Sequence, residues 1–382
     1  MTEFGNVGVQ QCEPPEPARI KSVTIEGFRC LRSIRALELP QLTVLIGANG
    51  SGKSTFMRFF DMLGWMLNAK RLQEFVARNG GGDDQFFMGA RQTRSIHAEL
   101  RFETASGMND YRLDMEHVSG GDKVILLNEA YRRSARGAQA EANWTQIPSP
   151  NWESGLLNET NQTARTIINL LRQCVVYQFH DTSPQATIHK RWDVTDSFRL
   201  RPDGGNLAPV LLHLRETDRE RYDLIVWQIR RVLPVFKDFV LEPESGKVLL
   251  RWLGAQSDMV FGSHLTSDGS LRAFCLLTLL NLPPERLPDV MLFDEPELGL
   301  HPHAIELVAA MFKRLAHKRQ IVIATQSPYL VDCFELENII IANADNGETS
   351  LQLLPREQYQ EWLDNEYLLS DIWLAQVMEG VA

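Results

Sequence analysis

The sequence predicts an α/β fold, from three observations. TVLIG (residues 43–47) is a short continuous apolar run that suits a strand buried on both faces. GANGSGKS overlaps its end, and a helix follows from Lys53 to about Asn68. Residues 95–103, 110–118 and 123–132 read as three successive strands, with SG and SGGD as the turns between them. Towards the far end, VMLFDEPE (residues 290–297) and IVIAT (residues 321–325) are apolar strands on either side of a helical stretch.

The remaining elements follow in order. Val23 and Ile25 alternate with polar neighbours, so IKSVTIEGFRCLRSIRALEL opens with strands. Residues 71–78 are expected to continue the first helix, and NGGGDD (residues 79–84) to end it in a loop. Residues 134–161 are polar, contain SARGAQAEAN and PSPN, and are expected to form a mobile insertion. Residues 167–171 suggest a helix and CVVYQF (residues 174–179) a buried strand. Leu207, Val210, Leu211 and Leu214 have helical spacing, and Tyr222, Ile225, Ile229 and Val232 repeat it. FVLEPESGKVLLRWLG (residues 239–254) reads as a hairpin. AFCLLTLLNL is apolar nearly all round, as a buried helix should be. A last strand pair spans residues 338–354, and a C-terminal helix is expected at about 358–380.

Composition narrows the class. With 382 residues, 44% of them hydrophobic and 23% charged, the chain has the make-up of an ordinary soluble protein with a sizeable core. No apolar stretch reaches the roughly 18 residues of a membrane span. Five scattered cysteines, Cys12, Cys30, Cys174, Cys275 and Cys333, have no metal-ligand spacing and suit reduced thiols in a cytoplasmic protein. The net charge of −10 argues against a general nucleic-acid coat. It leaves room for a local groove at Arg91 and Arg94, Arg132 and Arg133, Arg199 and Arg201, or Arg230 and Arg231. Solvated faces account for most of these pairs more simply.

GANGSGKS (residues 47–54) matches the pattern G-x-x-x-x-G-K-[ST] and lies between a strand and a helix, the context that gives the motif meaning. Glycines let the backbone curl until its N–H groups point at phosphate oxygens, and the helix N-terminus adds positive potential. Gly47, Asn49, Gly50, Ser51, Gly52, Lys53, Ser54 and Thr55 are therefore the candidate nucleotide-binding residues. Lys53 would reach the β- and γ-phosphates of ATP, and Ser54 would ligate Mg²⁺. At the end of the apolar strand, Asp294 would complete the Mg²⁺ site, and Glu295 would orient and deprotonate the attacking water.

LFDEPELGLHP resembles the Walker B and D-loop of ABC-type ATPases, in particular the SMC/RecF/OLD-like group. The opening IKSVTIEGFRCLRSIRALEL is similar to that group's first strands. The resemblance covers about residues 20–68 and 260–345. It implies a P-loop NTPase of ABC-ATPase type: a mixed sheet, an antiparallel β lobe, and a helical lobe carrying a signature loop. The implied domain is single and built from both chain ends, about 20–180 and 260–350. A helical and β insertion would fill about 181–260, behind a flexible tail at 1–19.

The group's signature loop resembles SDGSLR, here Ser267, Asp268, Gly269, Ser270, Leu271 and Arg272. Taken alone, TSDGS is a helix N-cap. In the resemblance, Ser267, Asp268 and Gly269 bind the γ-phosphate held by a second copy, so that two ATP molecules are buried in an isologous homodimer. Asp268 departs from the commoner glycine, and its charge must face away from phosphate. Gln326 stands where relatives commonly carry a His sensor; it can donate a hydrogen bond but not a charge, which suits slow hydrolysis. His301 is either a dimer-seam residue or a surface His. Gln178 and His180, around FHDTSP, are candidates for the Q-loop position, and Asn206 reads as a helix cap.

Only residues 185–266 separate FHDTSP from the signature, and no heptad pattern is sustained there, so a long-armed tether is excluded. The OLD group usually carries a C-terminal Toprim nuclease domain, which the stretch after the last strand is too short to hold. A nuclease or toxin effector is then expected in a separate chain, with DNA a possible further partner and no membrane involved. An ATP-gated scaffold that restrains such an effector is the alternative reading.

Overall fold

Two six-stranded sheets organise the chain. The computed structural model describes residues 17–138, 140–256 and 258–375. Most of the expected tail, with Cys12, lies outside these residues, as does the end of the expected C-terminal helix from residue 376.

The first sheet is antiparallel. It contains Arg19–Phe28, Leu31–Glu38, Ser95–Thr104, Gly107–Val118, Lys123–Ala135 and the short Thr145–Gln146. The second is mixed, in the order Glu348–Leu353, Ile339–Asp345, Leu42–Ile46, Gln320–Thr325, Val290–Asp294, Cys174–Tyr177. Its first pair is antiparallel and all other neighbours are parallel. Parallel strands covered on both faces should be continuously apolar. All five residues of Leu42–Ile46 are buried, as are all six of Gln320–Thr325.

Alternation then divides the core. Leu45, Leu292, Val322 and Ile340 face the antiparallel sheet and the helices Lys53–Ala69 and Gln162–Arg172. Val44, Phe293, Ile323 and Ile341 face the helices Leu207–Thr217, Arg219–Val232, Asp268–Leu280 and Pro302–Ala316. Each large side chain fully buried here contributes about 1.5–3 kcal/mol. Residues expected in the 181–260 insertion supply two of these helices and the three-stranded sheet Phe236–Phe239, Arg251–Gly254, Val260–Gly262. Gln320 stitches the two sheets: fully buried, it accepts from Ile20 N at 2.7 Å and donates to Ile20 O at 2.9 Å and Leu39 O at 3.2 Å.

Five expectations need correction. The described residues of 134–161 are largely exposed as far as residue 150, but they are pinned at several points rather than free along their length. Trp144 lies between the guanidiniums of Arg112 and Arg132 at 4.3 and 4.4 Å, and Glu141 pairs with Arg132 at 2.7 Å. Buried Glu129 accepts from Ser154 Oγ and from Gly155 N at 2.8 Å. Residues 71–78 do not continue the first helix: Lys70 turns left-handed at φ 52°, and Leu72–Arg78 starts anew. The hairpin at 239–254 is divided, with Phe236–Phe239 pairing to Arg251–Gly254 while Lys247–Val248 pairs to Trp192–Asp193. The C-terminal helix is two short ones, Arg356–Asp364 and Leu369–Leu374. Asn206 does hold the N-cap position of Leu207–Thr217, but its side chain makes no cap bond; it is buried, accepting from Arg201 N at 2.8 Å and donating to Asp196 O and Arg199 O.

The arginine pairs are mostly engaged within the chain. Arg132 binds Asp110 at 2.6 Å, Arg201 binds Asp196 at 2.7 Å, Arg230 donates to Lys237 O, and Arg231 lies over Trp227. Cys30, Cys174, Cys275 and Cys333 are free thiols. No described helix is long and apolar enough to cross a membrane.

Candidate functional site

The site forms where the strands of the mixed sheet end. The phosphate loop leaves Leu42–Ile46 and turns into Lys53–Ala69. Gly52 sits at φ 95°, and a Cβ there would lie 2.1 Å from Thr349 Oγ1, so the last strand of the sheet leaves room for glycine alone. Lys53 is 5% exposed, and its Nζ donates to Gly47 O at 2.7 Å, Ala48 O at 2.9 Å and Ser51 Oγ at 3.3 Å. Burial lowers the pKa of this ammonium, while the charges of Glu295, Asp294 and Glu297 act to raise it. The lysine is thus already curled over the loop that would hold phosphate.

Ser54 and Asp294 come from opposite ends of the chain and meet: Ser54 Oγ donates to Asp294 Oδ1 at 3.2 Å. A hydroxyl beside a carboxylate fits the hard oxygen ligands that Mg²⁺ takes, with phosphate oxygens and water completing the shell. Burial raises the Asp294 pKa, against the opposing influence of Ser54, His180, Lys53 and Arg58. Glu295, the next residue, is half-buried and left-handed at φ 43°, with its N–H bonded to Ala324 O at 2.8 Å. Gln326 follows the neighbouring strand, where Asp294 is in register with Ala324. The acidic turn and Gln326 therefore emerge side by side.

The signature segment is a helix start, as the simplest reading has it. Ser267 is the N-cap of Asp268–Leu280, accepting from Ser270 N at 3.3 Å, and Ser267 and Asp268 are exposed. It is also joined to the acidic segment of its own chain. A Cβ on Gly269 would lie 2.2 Å from Gly299 O, so helix and D-loop meet glycine on glycine. Arg272 donates to Leu298 O at 3.1 Å, Phe179 O at 3.2 Å and His180 O at 3.3 Å. Of the two Q-loop candidates, His180 is the one whose charge acts on Asp294; Gln178 is exposed and its N–H is bonded to Pro202 O. His301 caps Pro302–Ala316, accepting from His303 N at 3.4 Å.

Sequence reasoning gave no role to Glu297, Thr325 or Thr349. Glu297 is buried, and Thr325 Oγ1 donates to its Oε1 at 2.5 Å. Burial pushes this carboxyl up to about 7. The signal in the sequence was a third acid, after Asp294 and Glu295, in a strand-end segment that is otherwise apolar.

A P-loop ATPase with the SMC-head fold is the class that this sheet and site define. An Smc head bound to the C-winged helix domain of ScpA superposes with a TM-score of 0.56 over 90% of this chain and 99% of that one, at 15% identity. An Smc head domain with an extended coiled coil, bound to the C-terminal domain of ScpA and derived from Pyrococcus furiosus, gives 0.55 over 91% and 99%, at 14% identity. Residues 19–169 match the family described as "AAA ATPase domain", and residues 184–332 the family "AAA domain, putative AbiEii toxin, Type IV TA system". OLD nuclease of Thermus scotoductus (strain ATCC 700910 / SA-01) is 21% identical over 367 residues, 91% of this chain; the chain spans 66% of that protein's length. More narrowly, the chain shares the fold of SMC heads and is distantly similar to OLD nuclease, each half of it matching an ATPase-domain family.

Proposed function

We propose that this chain is an ATP-hydrolysing switch, closing with a second copy of itself around two ATP molecules and acting on DNA, in repair or anti-phage defence, together with an effector in a separate chain. The observation that carries the reading is the meeting of Ser54 and Asp294, which converts two distant motifs into one magnesium-type pair beside Lys53. Bound Mg·ATP supplies the γ-phosphoryl electrophile and the cation that balances its charge. Lys53 leaves the loop carbonyls to hold the β- and γ-phosphates. Glu295 takes the proton of the attacking water, and Gln326 donates an amide hydrogen bond at the γ-phosphate. Ser267, Asp268 N–H and Gly269 N–H form the half-site presented to the partner's nucleotide.

The effector reading draws on the similarity to OLD nuclease and on the toxin–antitoxin family matched by residues 184–332. One observation favours a second reading, an ATP-gated scaffold that restrains a nuclease or toxin: several of the arginines that could track a phosphate backbone are bonded within the chain. DNA-stimulated turnover supports the first reading; slow turnover indifferent to DNA supports the second.

The test is the solution mass of Glu295→Gln by light scattering, with and without Mg·ATP. Removal of the base should trap ATP and convert monomer to dimer, and Ser267→Arg should abolish the conversion. A mass that does not respond to ATP overturns the sandwich.

A further inference from the structure

Glu295 leaves its strand in a conformation that non-glycine residues seldom adopt, at φ 43°. Such a backbone persists only where its surroundings over-determine it. Two ties hold it here. One is the backbone bond from Glu295 N to Ala324 O at 2.8 Å. The other is made two residues further on by the buried side chain of Glu297, whose Oε1 accepts from Thr325 Oγ1 at 2.5 Å. Thr325 Oγ1 in turn accepts from Ser327 N at 2.9 Å, the far side of Gln326. Glu297 thus fastens the acidic turn to both flanks of the sensor residue.

We propose that Glu297 is a positioning residue for hydrolysis: through Thr325, its carboxyl locks the strained Glu295 turn against the strand end that carries Gln326. The inference rests on the hydrolytic reading above. Glu297 makes no hydrogen bond to Lys53 or Ser54 among the described residues and reaches Lys53 only through its charge, the last of the three acids that act on it, so nucleotide affinity should change little when the tie is cut. Its second oxygen, Oε2, is buried with no hydrogen-bond partner among the described residues, so the tie needs one accepting oxygen and no second contact. A neutral isostere that keeps that oxygen should serve. Without the tie, the Glu295 backbone relaxes towards negative φ and its carboxylate leaves the line of attack.

The experiment compares Glu297→Ala, Thr325→Val, the double variant and Glu297→Gln with the unaltered full-length chain. The readouts are steady-state ATPase kinetics and the affinity for a fluorescent ATP analogue. Glu297→Ala and Thr325→Val should each lower kcat about 10- to 100-fold, the range a small misplacement of a reacting group produces. Their affinity for the analogue should stay within about 2-fold, the split expected of groups that act only after binding. The double variant should fall no further than the weaker single, because both remove one interaction. Glu297→Gln should keep kcat within about 3-fold. Undiminished turnover in Glu297→Ala, multiplying losses in the double variant, or affinity falling in step with kcat overturns the proposal. If Glu297→Ala does not fold, Thr325→Val and Glu297→Gln decide by the same criteria. Absence of turnover in the unaltered chain overturns the hydrolytic reading and this inference together, whereas full turnover in the variants overturns the inference alone.

Discussion

At Glu297 the chain buries a carboxyl with one oxygen bonded to Thr325. Burial is the leading cause of its rise from an ordinary 4.5 to about 7, and the nearby charges of Glu295 and Asp294 push the same way. Below about pH 4.5 the group is protonated whether the chain is folded or not, and it costs nothing. Between that pH and about 7 the unfolded chain gives up the proton while the folded chain keeps it, so stability falls as pH rises. Above pH 7 both forms are ionised, and the full penalty, on the order of 3 kcal/mol, is in place. Glu297→Gln has no proton to exchange. Its stability relative to the unaltered chain should therefore climb by that order between about pH 4.5 and 7 and stay level above, as read from urea midpoints across a pH series. A difference that does not change across this window would show that the carboxyl is not held neutral.

Among the elements, the signature helix and the D-loop meet where neither has a side chain. An added methyl at Gly269 would lie 2.2 Å from Gly299 O, and Gly299 itself is at φ 79°. Gly269→Ala must push the helix start away from the D-loop. We expect a loss of about 1–3 kcal/mol in denaturation, the range of overpacking in a close contact. The proposed ATP-driven dimerisation should weaken more than nucleotide binding does. Gly120→Ala is the control: its methyl meets open space and should change stability by less than about 0.5 kcal/mol. An equal loss in both variants would remove the contact from the account. Elements differ in how far they can be read in advance. The buried strands Leu42–Ile46 and Gln320–Thr325 are legible because burial on both faces demands an unbroken apolar run. The segment 239–254 is not, because its two strands pair with different partners, one of them Trp192–Asp193.

For the whole molecule, the antiparallel and mixed sheets are joined by the side chain of Gln320, which bonds Ile20 and Leu39 from within the core. Gln320→Leu would leave buried backbone groups on the first sheet unpaired. A stability loss of about 2–4 kcal/mol is expected in urea denaturation, because buried groups then lack both water and partner. A loss under about 1 kcal/mol would mean that apolar contact alone holds the sheets together. The same scale explains residues 134–161. Glu141 finds Arg101 and Arg132, Trp144 finds Arg112 and Arg132, and Ser154 finds Glu129. A polar stretch looks loose when its partners are distant in sequence.

By itself the sequence determined the α/β class, the buried strands, and the phosphate loop with its lysine and serine, because these depend on local periodicity and on short motifs. It also identified Asp294 and Glu295 as the acids to expect at a strand end. Tertiary structure decided what those residues do for one another. It brought Ser54 to Asp294, set Glu295 at φ 43° against Ala324, and laid Gly269 on Gly299. It also buried Glu297 beside Thr325, turning an unremarked acid into a clamp. The physical reason is range: motifs act over a few residues, whereas desolvation and hydrogen-bond partnership depend on which distant strands become neighbours.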